Sequence, residues 1–172
     1  MREIIISATI EALKSIQQAR FFQTERGYHG KFYCELHKAL DARGILNGNV
    51  LLEMEYQKSE RHGTYQRPDI ILHIPAELHG TPVQENNFAV FALKRRVSQN
   101  EAEDDFRKLD IMFGLHYTLG FFINVDSTRH HLNNYTGTYR DCLHAFAVKM
   151  VDDAVSIIHA WWIDDEIREE HI

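Results

Sequence analysis

The sequence predicts an α/β domain in which a mixed central sheet is flanked by helices. Apolar runs of strand length occur at 69–74, 87–94 and 118–125. These runs are apolar on both faces, which is typical of strands that are covered by helices on both sides of a sheet. Segments whose apolar residues have helical spacing stand before, between and after the runs. Three strands in sequence, followed by a helix and a fourth strand, indicate a mixed sheet.

Two helices are predicted ahead of the first strand. Residues 3–20 place apolar side chains at helical spacing, namely Ile6, Ile10, Leu13 and Ile16. The glycines of "GYHG" (27–30) break this pattern. A second amphipathic helix follows over 31–43 and ends at Gly44. Each segment has one apolar face, so both helices are expected to pack on the sheet.

The strand predictions depend on side-chain alternation and on continuous apolar runs. "VLLEMEY" (50–56) alternates acidic with apolar residues and predicts a half-buried strand. "DIILHI" (69–74) and "NFAVFALK" (87–94) are apolar at almost every position, which predicts central strands. "TLGFFINV" (118–125) and "HAFAVKM" (144–150) predict two more buried strands.

Two further helices complete the predicted order. Residues 99–113 again show helical spacing of apolar side chains, at Ala102, Phe106, Leu109 and Phe113. Residues 151–168 are predicted to form a closing helix that carries Trp161 and Trp162. The elements therefore follow the order α, α, β, β, β, α, β, β, α. Because no repeat, low-complexity tract or linker interrupts them, residues 1–172 are expected to form a single domain.

Composition limits the classes of function. The 172 residues are 44% hydrophobic and 26% charged, which is ordinary for a soluble globular protein. No apolar run approaches the roughly 20 residues that cross a membrane, so we expect no membrane partner and a cytoplasmic location. Cys34 and Cys142 provide neither a disulfide framework nor zinc-ligand spacing. A formal net charge of −6 argues against general coating of nucleic acid, but it permits a local basic site.

A Pro-Asp pair opens one apolar strand, and a lysine closes the next. Pro68 and Asp69 stand at the start of the run 69–74, and Lys94 ends the run 87–94. Side chains alternate across a strand, so Ala92 and Lys94 share one face. If the two strands pair, Asp69 can lie close to Lys94. A partly buried lysine needs such a partner, because an unpaired buried ammonium loses its proton.

This pattern resembles the PD-(D/E)XK, or restriction-endonuclease-like, nuclease superfamily over roughly residues 30–125, including its α-β-β-β-α-β core. The resemblance implies that the aspartate and the acid of the acid-x-Lys motif hold Mg²⁺ (or Mn²⁺), often with a glutamate from the preceding helix. It also implies that the lysine orients water or stabilises the transition state. In this chain the resemblance places the metal on Asp69 and on Glu35, the best candidate for the helical acid, although Glu25 is also near. It gives Lys94 the catalytic role.

The chain departs from the family pattern at Ala92, where the family has aspartate or glutamate. Losing one of three carboxylates is expected to weaken metal binding and catalysis. Three explanations are open. The alanine is a deliberate inactivating replacement, or this branch naturally lacks the acid and serves as a binding or structural module. Alternatively the acid has moved, with Glu53 or Glu55 as donors.

Basic residues around the motif predict contact with phosphate groups. The predicted nucleic-acid contacts are Arg67, Arg95, Arg96, Arg107 and Lys108. Together they would form a positive rim around an acidic site, which suits a phosphodiester substrate. The expected partner is nucleic acid, with DNA favoured over RNA. The family analogy also favours a homodimer, which would present two sites to two strands.

The sequence thus favours a nuclease-like protein that hydrolyses phosphodiesters with a weakly bound Mg²⁺ or Mn²⁺ and that is impaired or inactive because of Ala92. The alternative on the same fold is a non-catalytic nucleic-acid-binding or assembly subunit. A third reading is an unrelated α/β domain with no role in nucleic-acid chemistry.

Overall fold

The computed structural model of the chain describes residues 1–54, 67–75 and 86–172. Within these ranges three α-helices are present: α1 (Arg2–Lys14), α2 (Glu25–Ala42) and α3 (Gln99–Gly114). The strands of the same ranges are β1 (Leu51–Met54), β2 (Ile70–His73), β3 (Asn87–Arg95), β4 (Leu119–Val125), β5 (Leu143–Val151), β6 (Ala154–Ile163) and β7 (Glu166–His171). No helix in the described ranges is long and apolar enough to span a membrane.

The described strands form one mixed sheet in the order β1-β2-β3-β4-β5-β6-β7. β3, β4 and β5 run parallel to one another, whereas every other neighbouring pair is antiparallel. Helix α3 makes the crossover from β3 to β4, which is how parallel neighbours are usually connected. The predicted fold class, an α/β domain with a mixed central sheet flanked by helices, is confirmed.

Helices cover both faces of the sheet and enclose two apolar clusters. α1 and α2 pack on one face, where the rings of Phe91 on β3 and Phe121 on β4 stack with centroids 4.7 Å apart. α3 packs on the opposite face, where Phe106 lies against Phe122. Gly120 allows this close approach, because a side chain there would overlap the ring of Phe113 on α3. The central strands are therefore buried on both sides, as their apolar runs predict.

Helix α2 begins six residues earlier than the predicted start at residue 31. Thr24 is its N-cap, and the Thr24 hydroxyl accepts a hydrogen bond from the Gly27 backbone N–H at 3.2 Å. A side chain at position 27 would collide with that hydroxyl, so the glycine belongs to the cap rather than to a break in the helix. The cap makes Glu25 the first residue of α2.

Helix α3 agrees with the prediction over 99–113 and starts directly after β3. Ser98 accepts a hydrogen bond from the Glu101 backbone N–H, and the Glu101 carboxylate accepts one from the Ser98 backbone N–H, which completes a capping box. The hydrogen bonds with Ser98 lower the pKa of Glu101. This start fixes which residues of α3 face the end of β3.

The predicted closing helix over 151–168 is wrong, because the segment forms β6 and β7. Asp152 and Asp153 have φ angles of 48° and 62°, and Asp164 and Asp165 have φ angles of 49° and 61°. Paired positive φ angles are typical of the two-residue turns that connect hairpins. Each Asp-Asp pair thus reverses the chain between neighbouring strands, and the β-branched and aromatic residues between the pairs suit a strand.

Candidate functional site

Asp69 lies immediately before β2, where its carboxylate continues the ladder between β2 and β3. Ile70 is opposite Phe91 in the antiparallel register, so Asp69 is level with Ala92 one position further. The Asp69 carboxylate accepts a hydrogen bond from the Leu93 backbone N–H at 2.7 Å. A side chain thereby takes the place of the next backbone acceptor, which fixes the carboxylate beside the end of β3.

Lys94 lies between two carboxylates at the end of β3. Its Nζ is 3.7 Å from Asp69 Oδ2 and 3.7 Å from Glu25 Oε1. The Lys94 side chain is 27% exposed and that of Asp69 is 21% exposed, so water screens the pair only in part. The proximity of Asp69 and Lys94, which the nuclease interpretation requires, is therefore present.

The first turns of α2 reach the same strand end through two residues one helical turn apart. Glu25 Oε2 accepts a hydrogen bond from the Arg95 backbone N–H at 3.2 Å. His29, which is buried, contacts the Leu93 carbonyl oxygen through Nε2 at 2.9 Å. Because a carbonyl oxygen only accepts, Nε2 carries the proton and donates it. These two contacts attach α2 to β3 on either side of Lys94.

A cavity opens on the α3 side of this strand end, and we call it the motif cavity. Its polar and motif residues are Arg67, Asp69, Ala92, Lys94, Asp105 and Lys108. Its volume of about 50 Å³ admits a few water-sized groups. The small side chain of Ala92 faces it from β3, and Asp105 faces it from α3. The Asp105 carboxylate is only 4% exposed and pairs with Lys108 Nζ at 2.7 Å.

Burial and the nearby opposite charges shift the pKa of Asp69, and also that of Lys94, in opposite directions. Burial raises the pKa of Asp69, while Lys94, the Leu93 N–H and His29 lower it and Asp105 raises it, and the net shift is upward. Burial lowers the pKa of Lys94, but the negative charges of Asp69, Asp105 and Glu25 together raise it by more. Lys94 therefore stays charged at neutral pH.

The structure separates the predicted helical acid from the motif residues. Glu35 points to two lysines on its own helix, with Oε1 2.6 Å from Lys31 Nζ and 3.0 Å from Lys38 Nζ. The hydrogen bonds from Lys31 and Lys38 lower the pKa of Glu35. Glu25 is the α2 acid that the structure brings to Lys94.

The five basic residues predicted to contact nucleic acid lie in different surroundings. Arg67 and Lys108 line the motif cavity. Arg95 donates to the Phe22 carbonyl oxygen and pairs with Asp126. The other two residues form ion pairs on the surface, Arg96 with Asp126 and Arg107 with Asp104. Their contact with nucleic acid stays a prediction.

Sequence reasoning passed over Asp105, although the pattern of α3 carries a signal for it. Asp105 lies three residues after Ala102 and four before Leu109, both of which are buried. A carboxylate on the apolar stripe of a helix is unusual, because buried acids need a partner. Glu53 and Glu55 are the two acids predicted as alternatives to the missing carboxylate at position 92. Glu53 pairs with His73, and Glu55 lies outside the described residues.

Comparisons with known proteins bear on the fold. No family model and no curated protein matches the chain. Among solved structures, NucC from P. aeruginosa ATCC27853 in its cAAA-bound form matches with a TM-score of 0.54 and 11% sequence identity. The match covers 100% of this chain and 84% of the NucC chain. At this identity the likeness shows the fold alone, which is restriction-endonuclease-like.

Proposed function

We propose that this chain is a nuclease-like protein that hydrolyses phosphodiester bonds of nucleic acid at the motif cavity. The observation that carries the proposal is the Asp69–Lys94 pair, with its atoms 3.7 Å apart, at the ends of adjacent strands. The pair lies in a fold like that of NucC. DNA is the favoured substrate, on the resemblance of Pro68, Asp69 and Lys94 to the PD-(D/E)XK pattern.

The donor set of the motif cavity suits Mg²⁺ or Mn²⁺, because carboxylate oxygen is the ligand that these cations prefer. No group of three or more His, Cys, Asp or Glu side chains that could hold a metal occurs in residues 1–54, 67–75 and 86–172. Mg²⁺ commonly needs only one or two carboxylates plus water. Asp69 would thus hold a weakly bound cation, which supplies Lewis-acid stabilisation of charge on the phosphate.

The protein's own groups have distinct tasks in this proposal. Asp69, held by the Leu93 N–H, presents an oriented carboxylate. Lys94 keeps its proton and can donate hydrogen bonds to the attacking water or to a phosphate oxygen, which stabilises negative charge in the transition state. Arg67 and Lys108 contact the phosphates on either side, because both line the cavity. A homodimer would present two such sites to two strands.

Ala92 is expected to impair this activity. A carboxylate at position 92 would face the cavity beside Asp69, and its absence removes one ligand and one negative charge from the site. Ala92, together with the lack of a three-ligand group in the described residues, also favours a second candidate function. That candidate is a nucleic-acid-binding or assembly subunit that does not cleave.

A cleavage assay distinguishes these two functions. The unmodified chain, Ala92→Glu and Lys94→Ala would be incubated with single- and double-stranded DNA and RNA in Mg²⁺, Mn²⁺ or EDTA. We expect slow cation-dependent cleavage by the unmodified chain and about tenfold or faster cleavage by Ala92→Glu, because a second carboxylate beside Asp69 strengthens the metal site. Lys94→Ala should show none.

Salt-sensitive binding of nucleic acid without cleavage by either form would favour the non-catalytic subunit. If neither form binds or cleaves any of the four substrates, the nuclease proposal is wrong, whatever the fold.

A further inference from the structure

Ala92 leaves a place in the motif cavity without a carboxylate, and Asp105 faces that place from α3. Both residues line the same cavity of about 50 Å³, together with Asp69 and Lys94. Asp105 belongs to another element, two helical turns after the capped start of α3. The cavity therefore has an acid on the β2 side and an acid on the α3 side, although the motif lacks one on β3.

The burial of Asp105 is more than its ion pair requires. Lys108 is 55% exposed, so a carboxylate at the surface could pair with it equally well. Asp104, the preceding residue, shows this ordinary arrangement, since it is 59% exposed and pairs with Arg107. Asp105 instead lies at 4% exposure on the apolar stripe of α3, where an ionised carboxylate is costly. A functional role of Asp105 explains the energetic cost of burying its carboxylate better than its ion pair with the exposed Lys108 does.

The charge of Asp105 also reaches both motif residues. It raises the pKa of Lys94 and that of Asp69. The geometric observation beside these shifts is that all three residues line the motif cavity. Glu53, one of the two acids predicted as a moved donor, pairs instead with His73 on β2. Among the described residues, Asp105 is therefore the acid besides Asp69 that lines the motif cavity.

We propose that Asp105 replaces the acid that is missing at Ala92, so that the cation is held between Asp69 on β2 and Asp105 on α3. This inference rests on the proposed function. Two carboxylates completed by water and by a substrate phosphate are a common ligand set for Mg²⁺. The replacement explains why an acid is buried on α3 and why a small residue is tolerated on β3.

The test uses Mn²⁺ alone as a probe, so its readout does not depend on cleavage. Mn²⁺ would be titrated calorimetrically into the unmodified chain, Asp105→Asn and the matched control Asp104→Asn, which changes the same chemical group one residue away. We expect Asp105→Asn to weaken Mn²⁺ binding by about tenfold or more, because half of the protein's carboxylate ligands is lost. Asp104→Asn should bind within about twofold of the unmodified chain.

Restoring the motif acid provides the second arm. Ala92→Glu in the Asp105→Asn background should recover most of the lost affinity, because one carboxylate replaces the other in the same cavity. The gain from Ala92→Glu should be smaller when Asp105 is present, which is the non-additivity expected of residues that share a role. An equal gain in both backgrounds would show that Asp105 does not replace the motif acid.

The outcomes separate this inference from the proposed function. If the unmodified chain binds Mn²⁺ and cleaves, while Asp105→Asn does both equally well, the Asp105 assignment is wrong and the nuclease proposal stands. If no form binds Mn²⁺, both are wrong. If Asp105→Asn melts below the assay temperature, Asp105→Glu with the control Asp104→Glu is used instead. The longer carboxylate should change Mn²⁺ affinity at position 105 and not at position 104.

Discussion

An Asp69→Asn variant is expected to cleave nucleic acid about 1,000-fold more slowly than the unmodified chain, which corresponds to about 4 kcal/mol of lost transition-state stabilisation. Asparagine keeps an oxygen that can accept the Leu93 N–H, so the end of β3 retains its contact. The negative charge is lost, however, and with it the cation ligand and one of the two carboxylates that lie 3.7 Å from Lys94 Nζ.

Asp69→Asn should lower the cleavage rate without lowering the stability of the fold. Burial raises the pKa of Asp69, so its favourable contribution to stability is present in acid and is lost as the pH rises through that raised pKa. At neutral pH a neutral amide therefore replaces a disfavoured charge. Glu25 and Asp105 remain as partners of Lys94. Single-turnover cleavage would be measured beside thermal unfolding, with Asp152→Asn, in an exposed turn, as the control.

A melting temperature that falls by much more than a few degrees would show that Asp69 is a structural residue. An unchanged cleavage rate would remove Asp69 from the site altogether.

Acidification from pH 6.5 to pH 4 is expected to lower the free energy of unfolding by on the order of 5 kcal/mol through two buried histidines. Burial, together with the charges of His159 and Arg2, lowers the pKa of His144 to about 3. Burial also lowers the pKa of His159 to about 4. A depressed pKa in the fold means that the stabilisation is present above pH 6.5 and is lost as the pH falls toward these values.

The hydrogen bonds of the pair explain why both rings stay neutral. Arg2 can only donate, so His144 Nε2, 3.3 Å from Arg2 Nη2, is an acceptor. His144 Nδ1 then carries the proton and donates to His159 Nε2 at 2.9 Å. His159 Nδ1 is buried and has no hydrogen-bond partner in the described structure. Protonation would place positive charges beside each other and beside Arg2.

Urea unfolding at pH 7 and at pH 4 measures this effect. A double variant with His144→Phe and His159→Phe keeps the aromatic stacking on Phe121 and Phe146 and removes both titrating groups. Its free energy of unfolding should change far less between the two pH values. The exposed His37, changed to Gln, is the control and should behave like the unmodified chain. An equal acid sensitivity of the double variant would contradict the assignment.

The central sheet could be predicted from sequence because its strands carry a strong local signal. Runs such as 118–125 are apolar on both faces, and only strands between helix layers show that pattern over so few residues. The C-terminal hairpin was missed because apolar residues near 155–163 also fit helical spacing. The two Asp-Asp pairs indicate the hairpin turns, because tight turns need residues that tolerate positive φ angles.

The candidate site could be predicted only in part. Asp69 and Lys94 are fixed by strand alternation and pairing, which are local properties. Whether Glu25 or Glu35 reaches the site depends on where α2 starts and how it crosses β3. The spacing of apolar residues predicts a helix but does not predict how that helix packs on the sheet. Asp105 lies on α3, which packs on the face of the sheet opposite to α2. Only the three-dimensional arrangement shows that it shares a cavity with Ala92.

The measurement that tests the central claim most directly is cleavage of DNA in water enriched in heavy oxygen, followed by mass spectrometry of the new ends. Hydrolysis transfers an oxygen atom from water to the phosphate at the cut. The account predicts one labelled oxygen per new phosphate end with Mn²⁺ or Mg²⁺, and no product in EDTA or with Lys94→Ala. Unlabelled ends, or labelled ends that persist in Lys94→Ala, would contradict a hydrolytic site at Asp69 and Lys94.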